Sequence, residues 1–426
     1  MLTEEKVIQL EQQLKKLMME NSLSEAKHLS DTILESSPNN KLAHQSLIQY
    51  FFRYKSFDKC IEKCSTLLAI NPKDKLAAKY LILSLVESKD LVSAKNKVKS
   101  YIAVCGIDEE VLLLKAEVAV CMQNFEEALI AYKELHNFSP EFFSIETLKT
   151  RKNNKQHFNN VTNLLKRNAY MQMQTCMGVS RRLDSAINCF FGLEKAVQSH
   201  KLQKGSFFNI PNLTAKPYYQ VDEISGLKSL VEKILLCMPL LKSIIKDTDR
   251  ENYIDAIGAK NMQKEWLLLA KKWQSIHLLK ADKQCEISPE IEQVKKVFQD
   301  TLVADCPPHA PEAFISILPA DTIIPPHHGL SNVKLTVHVP IYVDELSSLT
   351  VGGERKTWID EDIIIFDDSF LHSADNRSSN SRAVLIFDIW HPDLTLQERG
   401  AIKTFMQTHD TWSQEYAQLS KAVKVV

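Results

Sequence analysis

The chain has 426 residues, enough for two or three domains. Its hydrophobic share of 44% and charged share of 25% are those of an ordinary globular protein, and a formal net charge of −1 argues against bulk nucleic-acid binding or a polybasic membrane contact. The start, Met1-Leu2-Thr3-Glu4-Glu5-Lys6-Val7, lacks the basic-then-apolar layout of a signal peptide, and no apolar run is long enough to span a bilayer. Nine scattered cysteines form no disulfide framework, so a reducing, cytoplasmic setting is expected.

The first 145 residues repeat. Turns at Pro38, Pro72, Gly106 and Pro140 are each 34 residues apart, the length of a tetratricopeptide helix–turn–helix unit. Ala26, Cys60, Ala94 and Ala128 stand twelve residues before these turns, small enough for close helix approach. Ser30, Cys64, Val98 and Tyr132, with Ile33, Leu67, Tyr101 and Leu135, continue the buried stripe of each second helix. Cys60 and Cys64 therefore read as core residues rather than as metal ligands. The first unit is weaker, with Gln13 at a usually apolar position, as suits a capping repeat.

Residues 146–160 are polar and basic and read as a solvated connector. Helices are expected near 160–178 and 183–199, the latter as one further repeat helix, so the connector region spans 146–204. Beyond Lys204-Gly205 the character changes. Helices are expected near 222–247 and 251–275, followed by short apolar runs at Phe314–Leu318, Val333–Ile341, Asp362–Phe366 and Ala383–Ile389 with a Gly352-Gly353 turn. Several short strands in succession suggest a double-stranded β-helix, the jelly roll of cupin-like proteins. The expected fold is thus multidomain, α plus β: a tetratricopeptide-like α-solenoid over 1–145, then a jelly roll with flanking helices over 205–426.

Chemistry concentrates in the last segment. His327 and His372 lie at strand ends, from where two imidazoles can meet at a barrel mouth. Neutral imidazoles suit Fe(II), Zn(II), Cu(II) or Ni(II). Iron oxygenases usually add a carboxylate two residues after the first histidine, and here that position is Gly329. His328 points to the opposite side of the strand and reads as a non-ligand. Asp367 and Asp368 read as turn-capping groups. Arg382 opens the final apolar strand, where a buried guanidinium calls for an anionic partner such as a carboxylate.

Four elements carry a family resemblance over roughly the C-terminal half. They are Phe207–Tyr219 ending in Pro217-Tyr218-Tyr219, then Pro326-His327-His328-Gly329-Leu330-Ser331-Asn332, Phe366-Asp367-Asp368-Ser369-Phe370-Leu371-His372, and Asp388-Ile389-Trp390-His391-Pro392-Asp393-Leu394-Thr395. Together they resemble the aspartyl/asparaginyl β-hydroxylases, Fe(II)- and 2-oxoglutarate-dependent dioxygenases, some of which also carry preceding repeats. The resemblance implies a two-histidine iron site at His327 and His372, with Gly329 leaving a coordination position open to water. It implies that Arg382, aided by Ser316, pairs with the distal carboxylate of 2-oxoglutarate, and that His338 contacts the metal-chelating end. One position departs from the family pattern. Thr336 stands where an arginine is common, and Lys334, two residues away on the same strand face, is a further candidate for co-substrate binding.

The implied reaction is hydroxylation of an aspartyl or asparaginyl side chain in a protein or peptide docked through the repeats, without nucleic acid and without an integral membrane segment. The alternatives are a lipid or carrier-bound amino-acid substrate, or a tetratricopeptide adaptor whose oxygenase-like domain is degenerate. A zinc hydrolase using the same histidines lacks a clear third ligand.

Overall fold

The computed structural model describes residues 3–144, 152–197, 199–253, 269, 272–281, 288–306, 310–358 and 363–419. The chain divides into two units, Met1–Asn168 with Glu415–Val426, and Ala169–Gln414.

The first unit begins with eight helices: α1 (Glu4–Met19), α2 (Leu23–Ser36), α3 (Lys41–Arg53), α4 (Phe57–Ile70), α5 (Lys75–Glu87), α6 (Leu91–Cys105), α7 (Glu109–Cys121) and α8 (Phe125–Phe138). The 34-residue register fixes where they start. Asn40, Asp74 and Asp108 each lie two residues after a repeat turn, and their side chains accept the amides of Ala43, Ala77 and Val111. The same carboxylates tie neighbouring repeats together, Asp74 to Lys41 at 3.2 Å and Asp108 to Lys75 at 2.6 Å. Within each unit the helix-to-helix turn takes a left-handed residue, at Asn21, Lys55, Lys89 and Gln123, again 34 apart. Ala26, Cys60, Ala94 and Ala128 are fully buried, as their small size requires.

The fourth turn opens only a short 3-10 segment, Pro140–Phe143, because Phe142 occupies the register position where earlier repeats place a capping Asn or Asp. Two sequence expectations change beyond it. The stretch expected as a solvated connector is largely helical from Lys152: α9 (Lys152–Met173) buries Phe158, Val161, Leu165, Ala169 and Met173 at helical spacing. The part of the connector over 146–151 lies outside the described residues. The helix expected at 183–199 is shorter, α10 (Arg181–Phe190), and ends before Gly192, whose φ is +74°.

In the second unit, the helix expected over 222–247 is split into α11 (Leu227–Leu236) and α12 (Met238–Asp247). Pro239 lies in the first turn of α12, where its missing amide costs nothing but where a continuous helix would lose a bond. The helix expected over 251–275 is strand at both ends, β2 (Glu251–Asn252) and β3 (Gln274–Lys280), and residues 254–268 lie outside the described set.

The remaining elements are β1 (Tyr218–Tyr219), α13 (Pro289–Lys295), β4 (Glu312–Leu318), β5 (Thr322–His327), β6 (Lys334–Tyr342), β7 (Ser347–Val351), β8 (Glu354–Thr357), β9 (Ile364–Phe366), β10 (His372–Asn376), β11 (Arg382–Trp390) and α14 (Leu396–Glu415). They form a seven-stranded sheet, β1-β9-β6-β11-β4-β3-β2, and a four-stranded sheet, β5-β10-β7-β8, both antiparallel. The strand period of two sorts the side chains of the larger sheet. Ile315, Val337, Val339, Leu385 and Phe387 pack on one face against Leu230, Leu241, Ile244 and Ile291 of the helices. Phe314, Leu318, Phe366, Val384 and Ile386 pack on the other against Ile324, Leu349 and Val351 of the smaller sheet. The expected strands are therefore found, and the candidate chemistry faces the space between two sheets. Among the described residues no helix is long and apolar enough to cross a membrane.

Candidate metal and co-substrate site

His327 ends β5 and His372 opens β10, and the two are direct partners across the strand pair. Their ring centroids lie 4.0 Å apart. β5 is an edge strand, which is why Pro325 and Pro326 are tolerated immediately before the histidine. Each imidazole is oriented in the same way, with Nδ1 bonded to the carbonyl two residues earlier: Pro325 at 2.8 Å for His327 and Phe370 at 2.9 Å for His372. A ring that donates through Nδ1 carries its lone pair on Nε2, the tautomer a metal ligand needs. Burial holds both rings neutral. It lowers His327, and with the neighbouring His327 it takes His372 down to about 3. His328 bonds instead to the Ser369 carbonyl at 3.0 Å. Among the described residues no group of three His, Cys, Asp or Glu is placed to hold a metal, so the site rests on this histidine pair.

The glycine two residues on has a structural counterpart. A Cβ on Gly329 would sit 2.3 Å from the Asp368 carboxylate carbon and from its Oδ2, so Asp368 fills the space of the absent side chain. Burial pushes the Asp368 carboxyl up to about 7, against the pull of Lys334 3.9 Å away. Its neighbour Asp367 is the turn-capping group the sequence suggests, accepting the amide and hydroxyl of Ser369 and the Gln203 amide. The expectation that Asp368 is also a turn cap is corrected. Its amide-linked carbonyl holds the Gly329 N–H at 2.7 Å, while its carboxylate lies against Gly329 and Lys334, with Oδ1 buried and without a partner among the described residues.

Even-numbered residues of β6 and β11 face the same interior. Arg382 is only 2% exposed, and its Nε and Nη1 find no partner among the described residues. Its guanidinium lies 5.0 Å from the Trp358 ring centroid. Burial lowers it to about 10, partly opposed by Asp375. His338 Nδ1 is likewise buried without a partner among the described residues, and burial, with the positive charge of Arg382, holds the ring well below its ordinary range. Ser316 is buried on β4 and accepts the Trp273 indole N–H at 2.9 Å.

Lys334 shares this face but is already engaged. It bonds Asp388 Oδ2, while Thr336 Oγ1 donates to Asp388 Oδ1 at 2.8 Å. Burial opposes its charge, yet Asp388 and Asp368 outweigh burial and raise the ammonium above its usual range. The cation thus leans along its strand to the level of Thr336, whose cross-strand partner is Asp388.

Three motif residues are structural clamps. Asn332 bonds the Ile210 amide and carbonyl, each at 2.8 Å. Tyr219 Oη donates to the Thr214 carbonyl at 2.5 Å and lies 3.0 Å from His391 Nε2. His391 Nδ1 accepts the Asp393 amide at 3.2 Å, so its proton sits on Nε2. These bonds fasten the segment around 208–219 to the strands that carry the site. Sequence reasoning missed Trp358 and Trp273 altogether, since an isolated tryptophan carries no spacing signal.

A two-sheet fold thus carries a histidine pair oriented through Nδ1 and, facing the same interior, a buried Arg382 whose Nε and Nη1 lack a partner among the described residues. Comparison with known proteins agrees with the motifs: residues 242–392 match the family model described as Aspartyl/Asparaginyl beta-hydroxylase. Mouse "Aspartyl/asparaginyl beta-hydroxylase" is 25% identical over 201 residues, covering 46% of this chain and 26% of that protein. Human "Aspartate beta-hydroxylase domain-containing protein 2" is 37% identical over 93 residues, covering 21% of this chain and 25% of that protein. The chain spans about a quarter of the length of such curated relatives. Among solved structures, that of MamA protein is similar over 38% of this chain and 93% of its own, at 15% identity and a TM-score of 0.31.

Proposed function

We propose that the second unit is an Fe(II)- and 2-oxoglutarate-dependent dioxygenase, built as a double-stranded β-helix, that hydroxylates an aspartyl or asparaginyl side chain of a protein or peptide. The observation that carries this reading is the coincidence of two features in one interior. One is a pair of neutral histidines, both oriented through Nδ1. The other is a buried Arg382 whose Nε and Nη1 lack a partner among the described residues. The residues fit the groups: two imidazoles suit Fe(II), and an orphaned guanidinium suits a terminal carboxylate.

His327 and His372 would hold the iron, and Arg382 with Ser316 would hold the distal carboxylate of 2-oxoglutarate. His338 would face its chelating end. When bound, iron and co-substrate supply the oxidising chemistry, in which dioxygen is consumed, 2-oxoglutarate becomes succinate and CO2, and a C–H bond becomes C–OH. The protein's own contribution is alignment and exclusion of water. The Nδ1 bonds fix the imidazole planes, and the apolar residues between the sheets keep the interior dry. The repeats of the first unit would recruit the protein or peptide substrate, since solenoids present extended binding surfaces. A cytoplasmic setting accords with the scattered cysteines.

The test is succinate formation that requires iron and 2-oxoglutarate, together with mass spectrometry for added oxygen in a lysate treated with the protein. His372→Ala is expected to abolish both. A protein that binds no metal and turns over no peptide pool would end the proposal. One observation favours a second reading, an adaptor with a degenerate oxygenase domain. Thr336 replaces a common arginine, and Lys334 is neutralised by Asp388. A thermal-shift scan with Mn(II) and millimolar 2-oxoglutarate separates the two, because a competent site is stabilised by its ligand and a degenerate one is not.

A further inference from the structure

Trp358 follows β8 and is 4% exposed. One face of its indole carries the Arg382 guanidinium, and the ring stacks parallel to His338, with centroids 6.1 Å apart and an interplanar angle of 8°. Its own Nε1 is buried and has no partner among the described residues, as is true of Arg382 Nε and Nη1 and of His338 Nδ1. Three neighbouring side chains therefore keep unsatisfied polar atoms inside one apolar interior, where each is costly unless a ligand completes it. Trp273 supplies the contrast. It faces the same interior, and its indole N–H is satisfied by Ser316 at 2.9 Å. Among the described residues, one buried indole N–H is thus satisfied and the other is left open.

We infer that Trp358 is a binding residue of the co-substrate pocket, its indole N–H donating beside Arg382 to the terminal carboxylate of a short dicarboxylate. The inference rests on the reading proposed above. A carboxylate offers about four lone-pair sites, so one bond from each of the two guanidinium nitrogens without a partner among the described residues leaves room for a neutral donor. The ring face meanwhile fixes the guanidinium plane by cation–π attraction. Packing alone would explain a buried aromatic ring, but not a buried indole N–H that has no acceptor among the described residues next to a guanidinium whose Nε and Nη1 also have none there.

The experiment is calorimetry on the intact Mn(II)-loaded protein, with no turnover, using three probes: 2-oxoglutarate, succinate, which has no 2-oxo chelating group, and oxalate, which has only a chelating end. Trp358→Phe keeps the ring and removes the N–H. It is expected to weaken 2-oxoglutarate and succinate by about tenfold or more while leaving oxalate and Mn(II) within about twofold, the signature of one lost hydrogen bond to a charge. Trp358→His, which restores a ring donor, should recover part of the loss. Equal binding of all three probes by Trp358→Phe and wild type, or a loss shared equally by oxalate, overturns the inference. Wild-type protein that binds Mn(II) but none of the three probes overturns the underlying co-substrate reading instead, and this inference with it. Should Trp358→Phe not fold, the wild type decides. In 15N-indole-labelled protein, the Trp358 N–H resonance, identified by changing the other four tryptophans singly to Phe, must move downfield on adding succinate. An unmoved resonance under saturating succinate refutes the hydrogen bond.

Discussion

Replacing Arg382 by Met should make the ligand-free protein more stable and the co-substrate unable to bind. The guanidinium is fully buried, and burial holds it at about 10 against an ordinary 12.5. At 1.36 kcal/mol per tenfold change in an ionisation constant, the charged form costs roughly 3 kcal/mol more in the folded chain than in the unfolded one. The sign follows from the direction. A base whose constant is depressed on folding destabilises the fold wherever the unfolded chain is protonated, so the penalty is full at neutral pH and fades only as pH rises from 10 toward 12.5. Methionine fills a similar volume without the charge. It forfeits the cation–π contact with Trp358, worth about 1–2 kcal/mol when desolvated. The net expectation is a gain of about 1–2 kcal/mol, or roughly 2–8 °C in melting temperature for a unit of this size. The wild type should instead gain about 2.7 kcal/mol from 2-oxoglutarate at a hundredfold excess over Kd, and Arg382→Met should gain nothing. Differential scanning fluorimetry with and without co-substrate reads both effects. An Arg382→Met protein that is less stable than wild type, or that is still stabilised by 2-oxoglutarate, would refute the assignment of Arg382 as an anion-binding group kept at the expense of stability.

Three further outcomes are expected. His327→Ala and His372→Ala should each eliminate Mn(II) binding measured by electron paramagnetic resonance while leaving the far-ultraviolet circular dichroism unchanged; retained binding by either variant would exclude that histidine as a ligand. Glu398 accepts bonds from Arg182 Nε and Nη2 and Ser180 Oγ, each at 2.7 Å, and also from the Thr395 amide and hydroxyl, so Glu398→Gln should cost about 1.5–3 kcal/mol by removing the charge partner of a half-buried Arg182, which keeps its bond to the Asp393 carbonyl. The Arg182 pairing holds the Glu398 carboxyl down at about 2, so this stabilisation is present above its ordinary 4.5 and is lost as pH falls toward 2, a step in urea midpoint against pH that the variant should lack. In the repeats, Lys89 adopts φ +65°, and Lys89→Gly should raise stability by about 0.5–1 kcal/mol by relieving the left-handed strain net of the added chain entropy; a destabilised variant in chemical denaturation would show that the lysine side chain contributes more than its backbone costs.

The repeats were legible because the information is local and periodic. A turn every 34 residues, a small residue twelve before it and an Asn or Asp two after it specify where each helix begins. The strands around the site were legible as apolar runs, and the two histidines through their motifs. Helix boundaries were less so. The polar run before residue 160 hides a helix whose buried face shows only from Phe158 onward, and Pro239 splits what periodicity joins. Lys334 illustrates the middle ground. Alternation places it on the interior face, yet only the neighbouring strand shows that Asp388 already claims its charge.

By itself, then, the sequence determined the repeat period and the strand-rich second unit, and it singled out His327, His372 and Arg382 as the residues of the proposed site, because each is written in neighbouring residues or in a short motif. The tertiary structure alone decided which side chains meet. Asp368 fills the space of the side chain absent from Gly329, 39 positions earlier. Trp358 lies under Arg382, and His338 stacks on Trp358. Those contacts join strands far apart in the chain, and nothing in local spacing records which buried donors a sheet will leave unsatisfied.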